Sequence, residues 1–282
     1  MIEQERQKQA AANATVKTAR ALAQVAADAI GLRIAEWYER WVAAFQQDSP
    51  SPFLPQPDMA AAIANLPLDI IQIAALQAFS EGNPFERLFD NILDDASQFD
   101  RANGTIQARL NDIDVDPSSF APSKQVLLAQ VQAALAPGPL SALATTKAAK
   151  IVSNALLLGR SLRETTDALQ QEIGNSIKGV ATLVARDALY QYDGAVNATI
   201  ARQYGLPAYR YVGSIVKASR PHCERWVEAD ILTRERLERD IALLHLAGNP
   251  DGFRPETTFE NFPIFRGGWN CRHQAIPVRE SA

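Results

Sequence analysis

The 282-residue chain is long enough for one large domain or two of ordinary size. With 47% hydrophobic and 21% charged residues it has the composition of a globular protein rather than of a disordered or disulfide-stapled one. Its formal charge of -4 and pI near 5.5 argue against nucleic-acid binding through an overall basic field. Two cysteines are too few for a secreted disulfide framework and fit folding in a reducing cytoplasm.

The opening MIEQERQKQAAANATVK holds no apolar core of the kind a signal peptide needs. Apolar runs such as LDIIQIAALQAF fall short of the roughly 18 residues that span a bilayer, so no membrane partner is expected. From about Thr15 to Gln47, Leu22, Ala26, Ile30, Ile34, Trp37, Trp41 and Phe45 recur at helical spacing on one face. The aromatic end of that stripe serves either as core or as an interface anchor. Asp48-Ser49-Pro50 stops the helix, and prolines 50, 52, 55 and 57 make an extended connector. Asp58 can cap a short helix through Asn65, and an apolar run from Leu68 to Phe79 ends at Gly82.

Asn83-Pro84 then offers a cap and a first-turn proline to a helix whose buried side is Phe85, Leu88, Phe89, Ile92, Leu93, Ala96 and Phe99. The turn formers and prolines of Asn111 to Ser123 mark a domain boundary, dividing a helical region, 1–115, from a second domain, 124–282. Beyond it the pattern predicts helices over Lys124 to Ala136, broken by Pro137-Gly138-Pro139, and over Leu140 to Leu158. Ser161 and Glu164 form a capping-box pattern for a helix that Gly174 ends, and a long helix follows from Ser176 to Gln203.

After Gly205-Leu206-Pro207, the alternation of Tyr209, Tyr211, Gly213 and Ile215 with Arg210, Val212, Ser214 and Val216 predicts a strand with a bulge at Gly213. A helix over Thr233 to Leu246 is expected to carry His245 at its C-terminal end, and GNPDGFRPETT reads as a loop. Short apolar pieces in FPIFRGGWNCRHQAIPV can pair with the earlier strand. The fold class expected is mainly α with a small C-terminal β-sheet, an α+β arrangement.

Two of the three histidines and both cysteines sit in two short segments, His222 and Cys223 in SRPHC, Cys271 and His273 in GGWNCRHQAIPV. Four readings are open. His222, Cys223, Cys271 and His273 have the number and type of donors of a zinc site, although adjacent residues such as His222 and Cys223 seldom reach one ion together. Cys271 beside Arg272, with His222 or His273 as base, has the composition of a nucleophilic site. A Cys223 to Cys271 disulfide could form in an oxidising medium. The fourth reading is a structural corner: Arg220 forks to carbonyls or a carboxylate, Pro221 presets the turn, and Gly267-Gly268 take positive φ so that Trp269 folds inward. Arg202, Arg210, Lys217 and Arg220 are candidate DNA contacts. The eight Lys and Arg between Arg202 and Arg239 are nevertheless interleaved with Glu224, Glu228, Asp230, Glu235 and Glu238, as on a solvated surface.

The order GRS (159–161), ARDALY (185–190), YRYV (209–212), SRPHC (219–223) and GGWNCRHQAIPV (267–278) resembles the phage Mu F-like minor head proteins, also called head morphogenesis proteins. The resemblance covers roughly the last 125 residues, and it adds Asn270 and Arg272 to the closing motif. Many members carry Cys-x-Cys where this chain has Cys271-Arg272-His273, and an acidic residue ahead of the Arg-Pro corner where it has Val216-Lys217-Ala218. The resemblance implies a non-enzymatic, low-copy virion component at or near the portal. Its partners would be the portal or major capsid protein and packaged double-stranded DNA, with no cofactor and no small-molecule substrate. The N-terminal region would then be a docking arm. A Cys/His enzyme or processing domain and a helical scaffold or regulatory protein are the alternatives.

Overall fold

A computed structural model describes residues 2–48, 67–80, 82–158, 160–268 and 271–279. The proline-rich connector at 50–57, the helix expected from Asp58 to Asn65, Gly159, Trp269 and Asn270 lie outside these residues. The side chain of Phe45 is also outside the description. In chain order the elements are α1 (Ile2–Asp48), α2 (Leu68–Gln77), α3 (Glu86–Asn111), a 3-10 turn (Pro117–Phe120), α4 (Ala121–Ala134), α5 (Pro137–Leu158) and α6 (Leu162–Tyr204). There follow β1 (Ala208–Val212), α7 (Pro221–Ala229), β2 (Ile231–Thr233), α8 (Arg234–Leu246), a 3-10 turn (Pro250–Gly252), α9 (Phe262–Phe265) and β3 (Gln274–Val278). The chain is thus mainly helical with one small antiparallel sheet near its C-terminus, ordered β2-β1-β3.

Helix ends follow local chemistry. The Asn83 carboxamide accepts from the Phe85 amide ahead of α3, and Asp116 accepts from the Ser118 amide at 2.9 Å. At α6 the capping box is complete: the Glu164 carboxylate accepts from the Ser161 amide at 2.9 Å and the Ser161 hydroxyl from the Glu164 amide. Thr233, expected as the first residue of a helix, is its cap: the hydroxyl accepts from the Arg236 amide and α8 starts at Arg234. Helix bounds differ at three places. α1 begins well before Thr15, because nothing in IEQERQKQAAANA opposes a helix. The break expected at Pro137-Gly138-Pro139 is present, with α4 ending at Ala134, but these three residues are themselves the first turn of α5, where a missing amide costs nothing. α6 runs unbroken through Gly174, which is buried with Ala27 as its neighbour, so packing outweighs the glycine penalty of about 1 kcal/mol.

The chain forms two compact units, one from Met1–Thr15, Asn91–Gln130 and Arg186–Ala282, the other from Val16–Asp90 and Val131–Ala185. The boundary expected at Asn111 to Ser123 falls inside the first unit, where its turn formers and prolines make a corner between α3 and α4. The second unit is alanine-lined: Ala19, Ala23, Ala26, Ala27, Ile30 and Ile34 are buried, and a Cβ added at Gly31 would lie 3.1 Å from the Gln170 Cα. Trp37 and Tyr38 are also buried and Trp41 is half-buried, so the stripe is core at Trp37. The unit's exposed apolar residues include four on α2, Leu68, Ile70, Ile73 and Leu76, with others on α1 (Val25, Leu32), α5 (Leu157, Leu158) and α6 (Leu162, Leu183).

One stretch, Pro117–Ala155, is long and apolar enough to cross a membrane by length and composition, with mean hydropathy 1.4, which corrects the count of unbroken apolar runs. It is two helices that meet at a bend at Leu135–Ala136, and 28% of its most apolar window is buried.

In the first unit, β1 pairs with β3 through Tyr209↔Pro277 and Tyr211↔Ala275 and with β2 through Tyr209↔Leu232. Pro277 is tolerated because β3 is an edge strand, and α3 covers that edge. The Asn111 amide donates to the Pro277 carbonyl at 3.0 Å and its oxygen accepts from the Arg279 amide at 3.1 Å. The expected strand over 209–216 stops at Val212, since Gly213 takes φ +151 and the His273 ring occupies the place of a Cβ there.

Candidate functional site

The two Cys/His segments meet on β1. SRPHC does not form a bare corner but opens a helix the sequence did not announce: Arg220 is extended, Pro221 is the first helical residue, and α7 buries His222, Cys223 and Trp226. Arg220 locks this entry as expected, its Nε donating to the Asp251 carbonyl at 2.6 Å and its Nη1 to the Gly267 carbonyl at 3.1 Å. The second segment approaches from α9 through Gly267 and Gly268 and leaves as β3, bringing Cys271 and His273 to the same place.

Tyr211, on the inward side of β1, is the hub. Its hydroxyl lies 3.6 Å from Cys223 Sγ and 3.4 Å from Cys271 Sγ. Its ring stacks on His273 at 5.3 Å and meets Trp226 edge-on at 5.5 Å. Cys271 Sγ is 3.5 Å from His273 Nδ1, and the ligand atoms of Cys223, Cys271 and His273 all fall within 4.8 Å of one another. Both cysteines are buried free thiols in this structure. His222 stands outside that close set: its Nε2 is 3.0 Å from the Gly267 carbonyl oxygen and its ring packs on Trp226 and Phe253.

The expected roles of the two glycines separate. Gly268 does take a left-handed conformation, φ +102. Gly267 does not; it is needed for space, because a Cβ there would lie 2.2 Å from Cys223 Sγ and 3.2 Å from Cys271 Sγ. Arg272 is exposed. Arg210 is held by Asp230 at 3.1 Å, whereas Arg202 and Lys217 are exposed.

Two participants were missed. Tyr211 was read only as one step of an alternation, though the repeated aromatics of YRYV are the available signal for an aromatic-lined inward face. Arg266 is 4% exposed, takes φ +50 and donates to the Tyr190 carbonyl; nothing in the sequence around it marks a buried arginine.

The electrostatics divide the thiols. A hydrogen bond from Cys223 lowers the pKa of the Cys271 thiol well below its ordinary value, with His273, Arg266 and Tyr211 adding to the effect against burial. The same hydrogen bond, together with burial, raises that of Cys223. Burial, then the neighbouring sulfurs, raises that of the Tyr211 phenol and keeps it protonated. The pair therefore carries its proton on Cys223 and any negative charge on Cys271.

Burial lowers the pKa of the His222 imidazole below its ordinary 6.5. As pH falls through 6.5 the unfolded chain takes up a proton before the folded one does. The contribution of neutral His222 is thus complete above about 6.5 and is lost as pH falls toward the depressed folded value. His222→Gln is expected to narrow the gap between urea midpoints at neutral and mildly acidic pH; an unchanged gap would contradict this.

Beside the cluster opens a cleft of about 910 Å³ whose lining includes Arg6, Arg220, Cys223, Cys271, Arg272 and His273. No protein-family model matches the chain, and the searches of curated proteins and of solved structures give no match.

Proposed function

We propose that the chain is a minor head protein of a tailed phage, a low-copy structural component that acts near the portal in head assembly and in DNA packaging or delivery. The observation that carries this reading is the meeting of the Arg220–Cys223 segment with Gly267, Cys271 and His273 on β1: consecutive motifs, 47 residues apart in sequence at Arg220 and Gly267, form one buried support in space. An architecture in which those motifs supply one support suits a protein that works by presenting surfaces. The exposed apolar side chains of α2, Leu68, Ile70, Ile73 and Leu76, are available to a portal or shell partner. Arg202 and Lys217 are the exposed cations on offer to DNA.

The test is the protein content of particles purified from cells that encode the chain. The expected result is a few copies per particle, placed by electron microscopy at the portal vertex. A chain that is abundant in those cells and absent from the particles would refute the reading.

The cleft favours a second reading, thiol chemistry by Cys271 with Arg220 and Arg272 as anion-binding groups. Under it Cys271→Ser abolishes an activity while leaving incorporation into particles intact. Under the structural reading the same substitution acts only through folding and incorporation.

A further inference from the structure

We propose that Cys223, Cys271 and His273 bind a soft divalent metal ion, zinc being the ion this donor set suits best, with the fourth position left to solvent from the cleft. Thiolate and imidazole are the donors that zinc prefers, and here they come from two stretches of backbone that meet at Tyr211. Cys223 lies in the first turn of α7, while Cys271 and His273 lead into β3.

The spacing fits. With Zn–S near 2.3 Å and Zn–N near 2.0–2.1 Å, tetrahedral geometry puts sulfur and nitrogen about 3.5 Å apart. Cys271 Sγ and His273 Nδ1 are 3.5 Å apart, and the three donors lie within 4.8 Å of one another.

A second observation points the same way. His273 is 7% exposed and turns its Nδ1 toward the Cys271 sulfur at 3.5 Å, so a buried imidazole aims a donor atom into the cluster, with the N–H of the metal-bound tautomer on Nε2. An outer partner for the ligands is in place: the Tyr211 hydroxyl lies 3.6 Å from Cys223 Sγ and 3.4 Å from Cys271 Sγ and has one proton to donate to a ligand sulfur. His222, engaged with the Gly267 carbonyl, is not a ligand in this arrangement, and the four-residue set read from the sequence reduces to three. An ion here would tie α7 to β3 across the first unit, so binding would add to the stability of the folded state. The inference stands whether or not the chain is a head protein.

The experiment is titration of the full-length, reduced, chelator-stripped chain with Co(II), then with Zn(II). The expected result is one equivalent of cobalt giving a near-ultraviolet sulfur-to-metal absorption and intense visible bands of a low-coordinate ion. Zinc is expected to displace it and to protect both cysteines from a thiol reagent. His273→Gln is expected to lose the visible bands, and Tyr211→Phe to weaken binding by about 10–100-fold as an outer partner of the ligands. The wild-type titration decides the matter even where a variant fails to fold. Absence of the sulfur-to-metal absorption in folded chain, with both thiols still reactive or joined in a disulfide, would overturn the proposal.

Discussion

Replacing Lys8 by methionine is expected to destabilise the first unit by about 3–5 kcal/mol, since it leaves a buried carboxylate without its counter-charge. The Lys8 ammonium donates to Asp193 at 2.8 Å and to Asn103 at 2.6 Å, and Asn103 in turn donates to Asp193 at 2.9 Å. Lys8 and Asp193 side chains are each 1% exposed. Three stretches distant in sequence, from α1, α3 and α6, are thus joined by one polar knot in which each charge depends on the others. The double variant Lys8→Met, Asp193→Asn removes the orphaned charge and is expected to recover a large part of the loss. Urea unfolding followed by far-ultraviolet circular dichroism gives both numbers, and a single variant within 1 kcal/mol of the wild type would contradict the assignment.

Alanine at Gly194 and alanine at Gly174, both on α6, are expected to act with opposite sign. At Gly194 a Cβ would lie 2.1 Å from the Pro263 carbonyl oxygen and 2.7 Å from the Ile264 Cα. These are backbone atoms, so the α9 segment itself would have to move, at a cost of about 3 kcal/mol. At Gly174 the new methyl meets the Ala27 side chain at 3.5 Å, an ordinary contact, and the helix gains about 0.5–1 kcal/mol from losing an interior glycine. Thermal unfolding of the two variants tests this directly. Equal effects at the two positions would mean that α9 does not press on α6 at Gly194.

The chemistry that was legible in the sequence is chemistry with a local cause. Ser161 and Glu164 announce a helix start because both partners of the capping box lie within one turn. The alternation of Tyr209 and Tyr211 announces a strand because period two needs no distant neighbour. Gly174 misled for the opposite reason: whether a glycine ends a helix depends on what packs there, and Ala27 is far away in sequence. The same limit applied to Gly267, whose role is room for two sulfurs rather than an unusual φ. The prolines at 117 and 122 lie within the first unit, where they mark a change of direction between helices, and a change of direction is not in itself a change of core.

For the site, the residue types in SRPHC and NCRH named three of the four members of the cluster around Tyr211. Tyr211 itself, and the withdrawal of His222 to the Gly267 carbonyl, depend on β1 lying between α7 and β3. No spacing along the chain encodes that.

The convergence of the two segments is most directly measured by nuclear Overhauser contacts in chain labelled at histidine, tyrosine and tryptophan, where three histidines, six tyrosines and four tryptophans keep the spectrum tractable. Cross-peaks are expected from the Tyr211 ring to the His273 ring stacked on it at 5.3 Å, with His222 joined to the same network through Trp226. His222 and His273 in separate networks, with no contact from His273 to Tyr211, would contradict the buried support on which both the proposed role and the metal site rest.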